Sequence, residues 1–117
     1  MASVTPLGRF LRKVRIDEHE LLKDMAAKLN ISVAQLSAIE LGKRSTSPEI
    51  VEKIVEQYSS YTKNEDVNKI IEMSQPAHKI DSGDTDIQRE LLVTFARKYV
   101  ELSDSDAVDL LEKIKML

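Results

Sequence analysis

Apolar residues recur at intervals of three and four along most of this 117-residue chain. This spacing places them on one face of an α-helix, whereas a half-buried strand requires strict alternation of apolar and polar residues. Aromatic residues make up only 4% of the sequence, and Val, Thr and Tyr do not alternate as they do in the strands of a sheet. The pattern therefore predicts an all-α fold.

Charge is distributed unevenly along the chain, although the formal net charge is only −3. Residues 1–63 carry ten Lys and Arg against eight Asp and Glu, and residues 64–117 carry seven against twelve. A surface that binds the phosphate backbone of a nucleic acid needs positive charge. Any nucleic-acid contact is therefore expected in the first part of the chain.

The composition excludes several classes of site. The chain has no Cys, which removes disulfides, thiolate zinc sites and cysteine nucleophiles and indicates a reducing compartment. The two histidines, His19 and His78, are isolated in the sequence, and there is no glycine-rich phosphate loop. No segment has the apolar length of a secretion signal or a membrane span. We therefore expect a cytoplasmic protein with no catalytic residue, no metal and no cofactor.

Two pairs of a hydroxyl residue and a proline predict helix starts. Thr5-Pro6 begins the first helix and Ser47-Pro48 the fourth, because Ser and Thr are good N-caps and proline at the first position loses only an N–H without a partner. Arg9, Arg12 and Lys13 in the first helix are interpreted as a solvated face, with contact to a nucleic-acid backbone as the alternative.

A tight turn is predicted between the second and third helices. The second ends at Asn30, a residue that tolerates the left-handed backbone conformation of such a turn. Ser32 and Gln35 would form a capping box at the start of the third helix, which ends at Gly42. A fifth helix is predicted over about residues 64–73.

The last third of the chain predicts a helical hairpin. Residues 75–84 combine Pro, Gly and polar residues without apolar periodicity, which indicates an exposed linker between a domain at 1–74 and an element at 85–117. Thr85 or Asp86 caps a long helix, and a short final helix starts at Ser103. The apolar stripe of this hairpin needs a cover, either the N-terminal domain or, as we expect, a second copy. The residues assigned to this dimer interface are Leu91, Leu92, Phe95, Tyr99, Leu111 and Ile114.

Residues 6–60 resemble the lambda-repressor-like, or XRE, helix-turn-helix family. The resemblance lies in the runs LGRFLRKVRIDEHELLKDMAAKLNISVAQLSAIELGKR and SPEIVEKIVEQY. It implies a five-helix domain that binds double-stranded DNA through the segment 21–41, with the third helix in the major groove and two copies on half-sites about one helical turn apart. The residues that carry it are Leu11, Arg15, Ala26, Leu29, Ile31, Ser32, Leu36, Ile39, Glu40, Gly42, Lys43 and Arg44.

The resemblance also implies a role for individual residues. An internal ion pair between Arg15 and Glu40 would tie the first helix to the third. Phosphate contacts would come from Ser32 and Lys43. Arg44, beside Lys43 just past the third helix, is assigned to phosphate by its position, and the alternative for both basic residues is a solvated turn favoured by the helix dipole. The residues placed against base edges are Val33, Ala34, Ser37 and Ala38, with Gln35 as a further candidate if the capping box does not occupy its side chain.

One position departs from the family pattern. The family usually has a polar residue, often Gln, at the start of the second helix, where it binds a phosphate, and here that position is Leu22. Lys23 would replace the contact as a point charge. The affinity of a single copy is therefore expected to be low, which makes dimerisation important.

Two functions agree with these observations. The first is a sequence-specific transcriptional regulator, a repressor that binds a palindromic operator as a homodimer. The alternative is the antitoxin of a toxin–antitoxin pair, which represses its own operon and binds a protein partner. The acidic region 64–117 fits a basic partner as well as a second copy, so the sequence leaves both uses of this region open.

Overall fold

The structure, a computed structural model, describes residues 4–63, 65–77, 80–81 and 83–117. These residues form helices and no strand, which confirms the all-α prediction. They divide into two compact units, residues 1–78 and residues 79–117. The helices are α1 (Pro6–Glu18), α2 (Leu22–Lys28), α3 (Val33–Glu40), α4 (Pro48–Gln57), α5 (Ser59–Thr62), α6 (Val67–Met73), α7 (Asp86–Lys98) and α8 (Asp104–Lys115).

One apolar core holds the first unit together, and each of its helices except the one-turn α5 contributes buried side chains. Burying one large aliphatic side chain stabilises a fold by roughly 1.5–3 kcal/mol, so this set supplies the main stabilising contribution. The core residues are Leu7, Leu11, Val14, Met25, Ala26, Leu29, Leu36, Ile39, Ile50, Ile54, Tyr58, Val67 and Ile71.

Among the described helices, none has the length and apolar character that crossing a membrane requires.

The predicted helix caps are present in this unit. Thr5, Ser32 and Ser47 cap α1, α3 and α4, and the hydroxyl oxygen of each accepts a hydrogen bond from the N–H three residues further along. Asn30, in the turn between α2 and α3, has the predicted left-handed conformation with φ of 58°. Gly42 follows α3 with φ of 71°, a conformation that glycine adopts without strain.

The fifth predicted helix begins later than expected. It starts at Val67, where the Asp66 carboxylate caps it by accepting from the Lys69 N–H at 3.2 Å. Residue 64, the predicted start, lies outside the described residues. The one-turn helix α5 was not predicted, because four residues are too few to show helical periodicity.

Polar side chains attach the ends of the unit to its interior. The Ser74 hydroxyl accepts from the Leu7 N–H at 2.9 Å and donates to the Ile70 carbonyl at 2.7 Å, which fixes the end of α6 against the start of α1. The Tyr58 hydroxyl donates to the Glu20 carboxylate at 2.8 Å. Burial, followed by this hydrogen bond, raises the pKa of Tyr58, so the phenol stays protonated and remains a donor.

His19 is the histidine that the structure describes. His19 closes α1 in a left-handed conformation with φ of 56°, and its side chain is exposed. His78 lies outside the described residues. Within the described ranges, no group of His, Cys, Asp and Glu is arranged to hold a metal ion.

The second unit is a pair of helices of nearly equal length. Thr85 caps α7 in a reciprocal capping box with Gln88, and Ser103 caps α8. Residues Tyr99–Glu101 form a 3-10 turn after α7, a common tightening at the C-terminal end of a helix. The expectation of a short final helix was wrong, because α8 has 12 residues against 13 in α7.

Candidate nucleic-acid interface

Helix α3 has one side in the core and one side in solvent. Leu36 and Ile39 are fully buried, and they fix the rotation of the helix about its axis. On the other side, Ser32, Val33 and Ala34 are exposed, with 44% of Val33 accessible. The remaining residues that the resemblance assigns to base edges are half-buried: Gln35, Ser37 and Ala38.

The C-terminal end of α3 is bound to the start of α1. Both the backbone N–H and the hydroxyl of Thr5 donate to the Glu40 carbonyl, at 3.1 and 2.9 Å. Gly8 lies so close that a Cβ at this position would be 2.3 Å from the same carbonyl oxygen. The end of α3 therefore approaches the backbone of α1 more closely than any side chain at position 8 would allow.

The buried carboxylate of Glu40 makes a second link between these helices. Only 2% of its side chain is exposed, and the Arg15 guanidinium binds both oxygens, at 2.5 and 3.0 Å. A bidentate pair of this kind restricts the orientation of both groups. The pair is the one that the family resemblance implies for these two residues.

Arg12 adds a third contact that the sequence did not reveal. Its Nε donates to Glu40 Oε1 at 3.3 Å, although the side chain is half exposed. The solvated face predicted for Arg12 is therefore only part of its environment, because half of the side chain is exposed while Nε is bound to Glu40. The spacing of Arg12 could have revealed this contact with Glu40. Residues three apart on α1 share a face, and Arg12 is three residues before Arg15.

Two basic residues, Lys43 and Arg44, follow the turn at the end of α3. The Lys43 N–H donates to the Ala38 carbonyl at 2.9 Å and the Gly42 N–H to the Ile39 carbonyl at 3.1 Å, which closes the helix in a defined turn. The side chains of Lys43 and Arg44 are exposed. No ion pair within the described residues involves either of them, so their charge faces solvent.

The start of α2 lacks the polar phosphate ligand of the family. Leu22 is half-buried against the core, and Leu21, the N-cap residue, is 62% exposed without a polar side chain. The N–H of Leu21 is bound within the chain, because it donates to the Asp24 carboxylate at 2.8 Å. Lys23 is exposed but adjacent to this carboxylate, which weakens its attraction for a phosphate.

The predicted capping box at α3 is only half formed. The Ser32 hydroxyl accepts from the Gln35 N–H at 3.0 Å, as predicted. In a complete box the Gln35 side chain would also accept from the Ser32 N–H, and the hydrogen bonds of the described residues do not include this one. The full box was expected because the residue types fit. The half-buried side-chain amide of Gln35 is not used by the cap. It therefore stays a candidate for contact with a base.

Two helices joined by a tight turn, with the second exposed along one side, define a helix-turn-helix, the DNA-binding element of many transcriptional regulators. Residues 11–62 match the family model described as helix-turn-helix. The match confirms the resemblance seen in the sequence: this segment is a helix-turn-helix domain of the lambda-repressor-like family. Searches of curated proteins and of solved structures gave no significant match.

Proposed function

We propose that the protein is a transcriptional repressor that binds a palindromic DNA operator as a homodimer. The observation that carries this proposal is the arrangement of α3. Its first two residues, Val33 and Ala34, are exposed, whereas its C-terminal end is bound to α1 by Thr5 and by Glu40. A helix presented rigidly in this way suits insertion into the major groove.

The proposed base-reading residues form a small and mostly apolar face. Val33 and Ala34 fit the methyl group of thymine, and Ser37 can donate or accept a hydrogen bond. The side chain of Gln35, unlike its backbone N–H, is not used by the cap and is able to make the bidentate contact with adenine. These side chains favour A·T base pairs in the half-site, with Ala38 as a further apolar contact.

Phosphate contacts are proposed on both sides of this face. Ser32 is exposed at the N-terminus of α3, where the helix dipole favours an anion. Lys43 and Arg44 lie beyond its C-terminal end, and Lys23 lies in the first turn of α2. With Leu22 in place of the usual polar residue, a single copy makes few strong backbone contacts, and specific binding requires two copies.

The proposed phosphate role of Lys43 and Arg44 is tested by changing both to Ala. Binding should weaken alike for all DNA sequences, and the slope of log K against log salt should fall by roughly two units. Fluorescence anisotropy at several salt concentrations measures both quantities. The matched control is the double change of Lys53 and Lys63, two exposed lysines outside the turn and α3. A loss of affinity confined to one base pair would contradict the phosphate role.

Dimerisation is proposed through the second unit, whose described residues include no buried side chain. Leu91 is 70% exposed, and Tyr99 and Leu111 are about half exposed. An apolar cavity of about 250 Å³ lies between the two helices and is open to solvent. Of the residues assigned to the interface, only Leu92 is half-buried within the unit; Leu91, Phe95, Tyr99, Leu111 and Ile114 are exposed and available to a second copy.

Selection of bound DNA from a random pool tests the proposed operator. The enriched sequences should form a near-palindrome whose half-sites lie about ten base pairs apart, because a two-fold symmetric dimer presents two copies of α3 at this spacing. The control is the same selection with Ser37 changed to Ala, which should alter preference at one or two positions. Absence of enrichment would contradict sequence-specific binding.

Deletion of residues 79–117 tests the role of the second unit. Because the first unit has its own core, the shortened chain should fold, but it should be monomeric. Its affinity for the operator should fall by roughly 10²-fold or more, the usual gain from linking two binding modules. Light scattering measures the oligomeric state and anisotropy the affinity. A dimer that survives the deletion would show that these residues do not form the interface.

The antitoxin alternative is supported by one observation, the excess of acidic residues around the exposed apolar face of the second unit. Under this alternative the face binds a basic protein. Co-expression with the product of the neighbouring gene should then give a stable complex at the expense of the homodimer. A homodimer that persists beside that product would contradict the antitoxin role.

A further inference from the structure

The exposed side of α8 carries an acidic residue at one end and a basic residue at the other. Asp104, Val108, Leu111 and Lys115 are all exposed, and at about 100° per residue they lie within about 60° of one another around the helix axis. The intervals between them are four, three and four residues. The stripe therefore has the same spacing from either end, and only the signs of its terminal charges differ.

Two copies of this stripe are complementary in one orientation only. In an antiparallel arrangement, Asp104 faces Lys115 of the partner subunit, and Val108 faces Leu111 of the partner subunit. A parallel arrangement would place equal charges opposite each other at both ends, which is unfavourable. The alternating intervals of four and three are also those of a coiled-coil seam.

We propose that the protein dimerises by antiparallel pairing of α8 with α8 of a second copy, with the two-fold axis between Val108 and Leu111. This inference rests on the proposed function, which requires a dimer, and it names the surface and the register. Leu111 also lines the apolar cavity together with Phe95, Tyr99 and Ile114, so a second copy seated on this stripe lies at the edge of that cavity.

The helix dipole alone does not explain where the charged residues at the two ends of α8 lie around its axis. Acidic residues are favoured in the first turn of any helix and basic residues in the last. Asp106 and Lys113 satisfy this preference too, but they lie on the side of α8 opposite Leu111. Asp104 and Lys115 share the side of the apolar pair, and no ion pair of the described residues involves them.

Disulfide cross-linking tests the register, and the absence of Cys from the chain means that every thiol is an introduced one. The variants are Asp104→Cys and Lys115→Cys, both at exposed positions. In the proposed dimer, position 104 lies opposite position 115 of the other copy, whereas the two positions 104 are about 16 Å apart along the axis. A disulfide requires Cα atoms within roughly 7 Å. A mixture of the two variants should therefore cross-link on mild oxidation, and neither variant alone should do so.

The matched control is a mixture of Asp106→Cys and Lys113→Cys, which has the same register on the opposite side of the helix and should not cross-link. Cross-linking of Asp104→Cys alone would establish a parallel arrangement and overturn the inference. Light scattering of the same samples separates the remaining outcomes. A dimer without cross-links would overturn this register and leave the proposed dimeric function intact, whereas a monomer would overturn both.

Discussion

Replacing Glu40 with Ala is expected to lower the free energy of unfolding by about 3–5 kcal/mol, because it leaves a guanidinium without its counter-charge in a nearly buried position. Arg15 is only 11% exposed and gives two hydrogen bonds to the Glu40 carboxylate. A small domain has a total stability of about 5–15 kcal/mol, so the loss is a large fraction. Urea denaturation followed by circular dichroism measures it, and Glu40→Gln, which keeps an acceptor oxygen, should lose less.

The matched control for Glu40 is Glu49→Ala, which removes an exposed glutamate from the first turn of α4. A surface change of this kind is expected to alter stability by no more than about 0.5 kcal/mol. The folded fraction of the Glu40 variant should keep its order of preference among DNA sequences, because Glu40 is buried and does not belong to the exposed side of α3. An unfolding midpoint equal to that of the unchanged protein would show that the pair with Arg15 does not stabilise the domain.

Replacing Gly8 with Ala is expected to lower stability by about 1–3 kcal/mol, the usual cost of forcing an extra carbon into a packed interior. Elsewhere in a helix, the same change normally stabilises by roughly 0.5–1 kcal/mol, so the expected sign is reversed. The added Cβ would be 2.3 Å from the Glu40 carbonyl oxygen. Because the carbonyl oxygen belongs to the backbone of α3 and the Cβ is held rigidly by the backbone of α1, neither can turn aside. The helices α1 and α3 must therefore separate, and DNA affinity should fall together with the melting temperature.

Lys13→Ala is the matched control for Gly8, since it introduces the same residue at an exposed position of α1. Its melting temperature should stay within the small range of surface substitutions. If Gly8→Ala raised the melting temperature, as alanine does in an ordinary helix, the close approach of α1 and α3 would be refuted.

Local chemistry explains which parts of the fold were predicted from the sequence. The caps Thr5, Ser47 and Ser103 each bond to an N–H three residues away, so the residue type and its immediate neighbours determine them. The apolar stripes were predicted for the same reason, because they follow the period of a single helix. The turn at Asn30 was also identified from the residue type alone.

The contacts that hold α3 in place were not predicted, apart from the ion pair that the family resemblance implied. Arg12 and Thr5 meet Glu40 across 28 and 35 residues of chain. A sequence pattern carries no information on which helices come together over such intervals. Gly8 was not singled out either, since a glycine in a helical pattern does not show which backbone approaches it. The half-formed cap at Gln35 shows that a predicted contact can also fail to form, because suitable residue types do not ensure that both hydrogen bonds are made.

The division of α3 between a bound end and an exposed end affects how such a protein changes in evolution. Val33, Ala34 and Ser37 lie outside the core and make no contact with Thr5 or Arg15 among the described hydrogen bonds. Substitutions at these three positions should therefore be nearly neutral for folding while they change the DNA sequence that is preferred. Under the proposed function, a change of operator preference at these positions needs no compensating gain in stability, and the same positions are the natural ones to randomise when the domain is retargeted.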